Sequence, residues 1–400
     1  MKITSTRINL GMRTYLISTI LCLTHFEVVL GADESHEIQT DSNERNEKVF
    51  SLFSIVQFNN EPCRSSMVLA GSTNTGFRNG TCFTAAECGE RGGSASGSCA
   101  GGFGVCCVFM VATCGASISQ NCSYIKNPNS PAALTDTSPC SFTINKCAPD
   151  VCDFRLDFEM FSISGPSSTD ETNGGECRDT MMVTTPTGQR TPTICGSNSG
   201  QHIYIDVGRM PTDSASIAFQ FMGAFNRMFD IKVTQIPCNS ESAPPNGCLQ
   251  FHTGTAGMFE TFNFDGPLQQ HLASQTQQVC IRQEDGFCCI DYQVCSDENS
   301  MTLGNGGIAD FTKAGVGTDC SEDFIIIEGS SATGQRDLQQ RYCGGKLSDV
   351  TKAEDSTAIR DCTLPFEVTF VTDNIAEAVA NAKVSRGTCL KYNQVPCNAI

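Results

Sequence analysis

The sequence has no tryptophan, and charged residues make up only 17% of its 400 positions. No CxxC pair occurs among its cysteines, and beyond a leader only His36, His202, His252 and His271 remain as imidazoles. Structural zinc sites come as paired short spacings, so these two shortages argue against metal-stapled folding. GxSxG is absent, which excludes the usual nucleophile elbow. HExxH is absent too, along with GDSGG and any histidine in an Ala-His-Cys context. His202, His252 and His271 stand singly among polar residues and read as surface histidines rather than bases. Carboxylates are numerous, but nothing pairs two of them for hydrolysis. The expectation is that the chain is not an enzyme. Basic residues are also scarce: the net charge is −17. Nucleic-acid binding wants a basic footprint, and anionic membranes want one too. An acidic surface suits a basic partner or calcium, although solubility explains it equally. Long apolar runs are missing. The longest early one, Tyr15 to Leu23, is well short of the roughly 20 residues a bilayer span needs.

That short run instead completes a secretory leader. Lys2, Arg7 and Arg13 precede it, and Val29 and Gly31 place small residues where a signal peptidase reads. A cut after Gly31 gives a leader over 1–31 and a secreted, extracellular chain. The carboxyl end, VPCNAI, is polar and carries no lipid-anchor signal. The chain holds 25 cysteines, one of them Cys22 in the leader, so an even number enters an oxidising compartment where disulfides form.

The remaining length suggests two or three domains. Residues 32–62 hold a polar leader and then FSLFSIVQF, which reads as a strand docking on the neighbouring module or, alternatively, as a partner-binding segment. Residues 63–109 carry six cysteines among glycine-rich turns and need covalent staples, because so small a segment builds little core. Residues 114–238 alternate in period two. Phe154, Leu156, Phe158 and Met160 share one face, as do Ile203, Ile205 and Val207. Ile217, Phe219 and Phe221 repeat the pattern, and so do Phe229, Ile231 and Val233. Such segments between Gly, Pro and Asp clusters predict an antiparallel sandwich. Residues 248–397 hold further strands in FCCIDYQVC, DFIIIEG, FEVTFVTD and TCLKYNQV, and a short helix is expected from Asn374. Six, eight and ten cysteines fall in the three modules, so each module could close its own bridges. The predicted fold class is all-β and disulfide-rich.

Residues 114–238 resemble a CUB domain. The features that carry this are Cys140 opening SFTINK, then FRLDFEMFSI, CRDTMMV at Cys177, ICG at Cys195 and the closing strand FDIKV. Residues 248–397 resemble a more divergent CUB domain through CSEDFIIIEG, YCGG and FEVTFVTD. The resemblance implies jelly-roll-type sandwiches with bridges Cys114–Cys140, Cys177–Cys195 and Cys320–Cys343. Residues 63–109, ending in VCC, resemble a clip domain. The layout is similar to arthropod secreted CUB-domain proteins, through FSLFSIVQF, NGTCFTAAEC and GFGVCCVF.

Many CUB domains hold calcium through a Glu and two Asp residues. Carried over, Asp323 and Asp373 fit, and Asp297 or Glu298 stands near the third position. In the second module Asp179 fits less well, with Ser164 where the Glu is expected. Sequons at Asn79 and Asn121 are candidate glycosylation sites. The expected function is recognition of an extracellular protein or glycan, with calcium as the candidate cofactor. The alternatives are a non-catalytic regulator of a serine protease and a structural component of an extracellular matrix or egg coat.

Overall fold

The computed structural model describes residues 26–31, 54–65, 77–166, 175–189, 191–266, 269–297, 299–304, 311–331, 333, 340–374 and 385–399. Glu298 lies outside these residues, and so does the expected 374–384 helix beyond its first residue. The fold is a nearly all-β, disulfide-rich set of sandwiches. Phe26–Gly31, at the end of the expected leader, pairs antiparallel with Ser54–Asn59 from the apolar FSLFSIVQF segment.

The second module is a two-layer sandwich. One layer runs His202–Asp206, Val151–Ser162, Met228–Pro237 and Ser123–Lys126. The other runs Thr180–Thr184, Ser214–Gln220, Cys140–Asn145 and Ser117–Ile118. Alternating apolar residues from both layers meet between them. Phe142, Phe154, Leu156, Phe158, Phe219, Phe229 and Ile231 are all buried in one core. Phe219 stacks on Phe229 at 4.4 Å and meets Phe142 edge-on at 6.5 Å, geometries that aromatic quadrupoles favour.

The first layer does not stop at the module boundary. Gly104–Val111 pairs in parallel with Ser123–Lys126, and Asn79–Phe83 and Pro62–Arg64 continue the sheet beyond it. The cysteine-rich segment is therefore an extension of the sandwich sheet. Its bridges are Cys63–Cys106, Cys82–Cys99 and Cys88–Cys107. Arg78 fixes it further. This side chain is 1% exposed and gives two hydrogen bonds to Asp230, also 1% exposed, at 3.2 and 2.5 Å, while lying over the Tyr124 ring.

The third module is a second sandwich. One six-stranded layer has Gln250–His252 at its edge, then Thr276–Ile281, Phe366–Val371, Phe324–Ile327, Arg341–Gly344 and Ala314–Val316. The facing layer is built on Ala256–Glu260, Gly387–Pro396, Phe287–Val294 and Ile359–Asp361. All ten of its cysteines are bridged, as Cys248–Cys280, Cys288–Cys397, Cys289–Cys362, Cys295–Cys389 and Cys320–Cys343.

The sandwiches share a core as well as a linker. Leu249, Phe262 and Leu272 from the third segment pack into the hydrophobic cluster of the second. Asn263 locks the contact: its amide N–H donates to Asn198 Oδ1, and its own Oδ1 accepts from the Ser197 amide. Gly196 sits beneath it at φ +80°, where a Cβ would strike the Asn263 carboxamide. Most pairings are antiparallel as expected. Among the described residues three are parallel, at 109–111 with 123–125, at 117–118 with 143–144, and at 250–252 with 279–281.

Candidate functional site

One end of the second sandwich is organised around a buried ion pair. Cys177–Cys195 anchors the loop that carries Asp179. Asp179 is fully buried and receives Arg227 through Nε at 2.7 Å and Nη2 at 2.9 Å. It also accepts the Ser164 amide at Oδ2 and the Met222 amide at Oδ1, each at 2.7 Å. Arg227 Nη2 donates to the carbonyls of Met222 and Gly223 at 2.8 and 3.0 Å. One guanidinium therefore gathers the loop after Ser214–Gln220 inward and leaves Met222 65% exposed. The Arg227 guanidinium already occupies the Asp179 carboxylate, so as arranged Asp179 is not open to calcium.

The matching end of the third sandwich repeats part of this geometry. Cys320–Cys343 anchors the loop carrying Asp323, which is 1% exposed. Asp323 Oδ1 accepts the Asp373 amide at 3.0 Å, just past the strand Phe366–Val371. Asp323 Oδ2 lies 2.8 Å from His271 Nε2. Asp297 lies elsewhere: it is 56% exposed and faces Arg386 at 3.8 Å. So Asp323 meets Asp373 through the latter's backbone amide, while Asp297 faces Arg386. Calcium takes six to eight oxygens. Among the described residues no group of three His, Cys, Asp or Glu could hold a metal ion. As arranged, with an imidazole against Asp323, the residues present do not fit the ion.

A polar cleft of about 510 Å³ opens on the outer face of the second sandwich. Arg155, Asp157 and Glu159 line it from one strand, Lys232 and Thr234 from its neighbour, and Ser242 from the linker between modules. These side chains face outward because their alternates fill the core. Arg155 donates to Asp157 at 2.7 Å and to the Tyr204 hydroxyl at 3.0 Å. Lys232 makes no ion pair among the described residues, and Thr234 Oγ1 is buried without a hydrogen-bond partner. Charges of both signs on a fixed sheet suit a polar ligand.

Residues 245–395 match the animal CUB domain. No curated protein matches the chain. Among solved structures it is similar to the CUB1-EGF-CUB2 domains of rat MASP-1, at 15% identity and TM-score 0.24, over 71% of this chain and 99% of that one. It is also similar to the CUB1-EGF-CUB2 domain of human MASP-1/3, at 16% and 0.22, over 68% and 99%. A third is the full extracellular region of zebrafish Gpr126/Adgrg6, at 9% and 0.25, over 72% and 38%. The matched CUB region contains Asp323, Asp373 and Asp297, and its disulfides are those of an oxidising compartment. Among the described residues no helix is long and apolar enough to cross a membrane.

The histidines correct the sequence reading. His202 is 7% exposed and His271 5%, and His252 is half-buried. His202 and His252 meet at the edge where the CUB region adjoins the second sandwich, and His271 turns its ring to Asp323 while its carbonyl lies against Gly175. No local pattern marks this, because each is covered by a segment distant in sequence. Among the second module's extra cysteines, Cys152 bonds Cys238, Cys147 is disulfide-bonded and Cys122 is a free thiol whose pKa burial pushes up. With Cys122 unpaired, the eight cysteines do not all close within their module, so the parity argument fails there. Cys114 bonds Cys140. Of the sequons, Asn79 is half-buried in a strand with its amide on the Tyr124 hydroxyl. The Asn121 side-chain oxygen accepts the amides of Cys122 and Gln235, each at 2.8 Å.

Proposed function

We propose that this chain is a secreted, non-catalytic binding protein: two CUB-like sandwiches, extended by a clip-like cysteine-rich segment, recognise an extracellular protein or glycan. The observation that carries this is the end geometry found in both sandwiches. In each, a bridge-anchored aspartate takes the amide that follows a core strand and so fixes an end loop. Fixed loops on a rigid scaffold lose little entropy on binding, which suits recognition. The polar cleft offers the second contact face. The test is binding of the full secreted chain to a glycan array and to purified extracellular proteins, serine proteases included. Wild type is compared with a Lys232→Met, Asp157→Asn variant and with an end-loop variant, Met222→Asp. Loss of a wild-type ligand in either variant supports the reading, and activity of the chain on a substrate argues against it.

The calcium-dependent form of this reading requires His271 to leave Asp323, so that Asp323 and Asp373 become available. Calorimetry on the full chain tests it: calcium heat lost in Asp323→Ala, Asp373→Ala supports it, and no heat in wild type removes it. A structural role in a matrix is favoured by one observation, the unpaired Cys122. Covalent dimers on non-reducing gels that vanish in Cys122→Ser would support that role.

A further inference from the structure

The junction between the second sandwich and the CUB region contains two imidazoles face to edge. His202, from the edge strand His202–Asp206, and His252, from Gln250–His252, have ring centroids 4.9 Å apart. Just before the second strand, the Leu249 carbonyl accepts the Tyr204 amide at 2.7 Å and joins the modules. Tyr204, Ile236, Cys248, Phe251 and Cys280 form a small apolar cluster around the contact. His202 Nε2 lies 3.2 Å from the Phe251 amide and 3.1 Å from the Phe251 carbonyl, and the tautomer decides which it engages. His252 Nε2 is buried with no hydrogen-bond partner.

We propose that this junction is an acid-sensitive joint, closed at neutral pH and loosened on acidification, with His202 and His252 as its titrating pair. The surroundings supply little to stabilise a proton. From the adjoining strand Arg155 is a cation, and Asp157, which is paired in register with His202, is already held by Arg155 at 2.7 Å. Tyr204 faces His202 at 5.5 Å, and Tyr392 and Phe259 face His252. Glu260 lies against Gln201 at 3.3 Å, and Glu284 caps the Gly254 amide. Burial first, then Arg155, holds His202 down to about 3 and His252 down to about 4, against 6.5 for the unperturbed ring. The sign follows from linkage. Between those values and 6.5 an opened junction binds protons that the closed one does not. Closure is therefore fully favoured above about pH 6.5 and lost as pH falls. For His202 alone the closed-to-open ratio falls about 100-fold between pH 7.5 and 4.5, and by less for the half-buried His252.

Hydrogen–deuterium exchange on the full chain at pH 7.5 and 4.5, corrected for intrinsic rates, tests this. At pH 4.5 exchange should rise at least about tenfold over 202–206 and 249–252. The inner CUB-region strands Phe287–Val294 and Gly387–Pro396 should stay protected. His202→Gln, His252→Gln should flatten the response, and His252→Gln alone, at the less buried position, should retain part of it. Three results would overturn the proposal: no selective rise in wild type, a uniform loss of protection everywhere, or an unchanged rise in the variants.

Discussion

At the scale of single residues, buried charges hold the site ends and the module contacts. Arg227 and Asp179 are both fully buried, and each is satisfied by the other and by backbone groups. Removing one partner leaves an uncompensated buried charge. Arg227→Met should cost about 3–5 kcal/mol in denaturant unfolding, and added calcium should not restore it. Arg227→Lys should restore little, because an ammonium cannot make the bidentate contact. A variant as stable as wild type would show that the loop is held by other contacts. Asp179 was visible in the sequence as an acid beside a cysteine. Its partner, 48 residues on, was not, because nothing in local pattern ties the two. The same holds for Arg78 and Asp230, separated by 152 positions.

At the scale of elements, period-two alternation located the strands well, and it failed where a strand bends or is covered twice. In Val151–Ser162 the register shifts between Phe158 and Met160. Phe161 then faces the core, and Met160, expected inside, is half-buried. In His202–Asp206 both faces are buried, because the CUB region lies over the face carrying His202 and Tyr204. The rings of His202 and Tyr204, in the phase opposite Ile203 and Ile205, were the available signal. Ile359–Asp361 carries a second liability. Asp361 is 1% exposed, its Oδ1 takes both Thr363 groups, and its Oδ2 has no partner. Burial pushes its carboxyl up from 3.8 to about 6. The folded state thus prefers the protonated form. This group's contribution is best below 3.8, and stability is lost as pH rises through 6. Asp361→Asn should stabilise by about 1–2 kcal/mol at pH 8 and by less at pH 4, read from thermal melts at both. An equal shift at both pH values would contradict this cause.

At the scale of the whole molecule, three modules behave as fewer bodies than their cysteine clusters suggest. The cysteine-rich segment over 63–109 continues the sheet of its neighbour, and Phe262 and Leu272 of the CUB region lie in the other sandwich's core. Boundaries drawn from cysteine spacing could not show this, because core sharing depends on contacts between distant segments. Phe262→Ala should cost about 3–5 kcal/mol and lower both sandwiches' melting together. Independent melting of the CUB region would contradict the shared core. One measurement bears most directly on the binding function: surface-captured full chain screened against a glycan array and purified extracellular proteins, with wild type beside Lys232→Met, Asp157→Asn and beside Met222→Asp. The expected result is a saturable ligand that is weakened at least about tenfold by one of the two variants, or about 1.4 kcal/mol. A ligand bound equally well by all three chains would place recognition elsewhere and contradict the proposed faces.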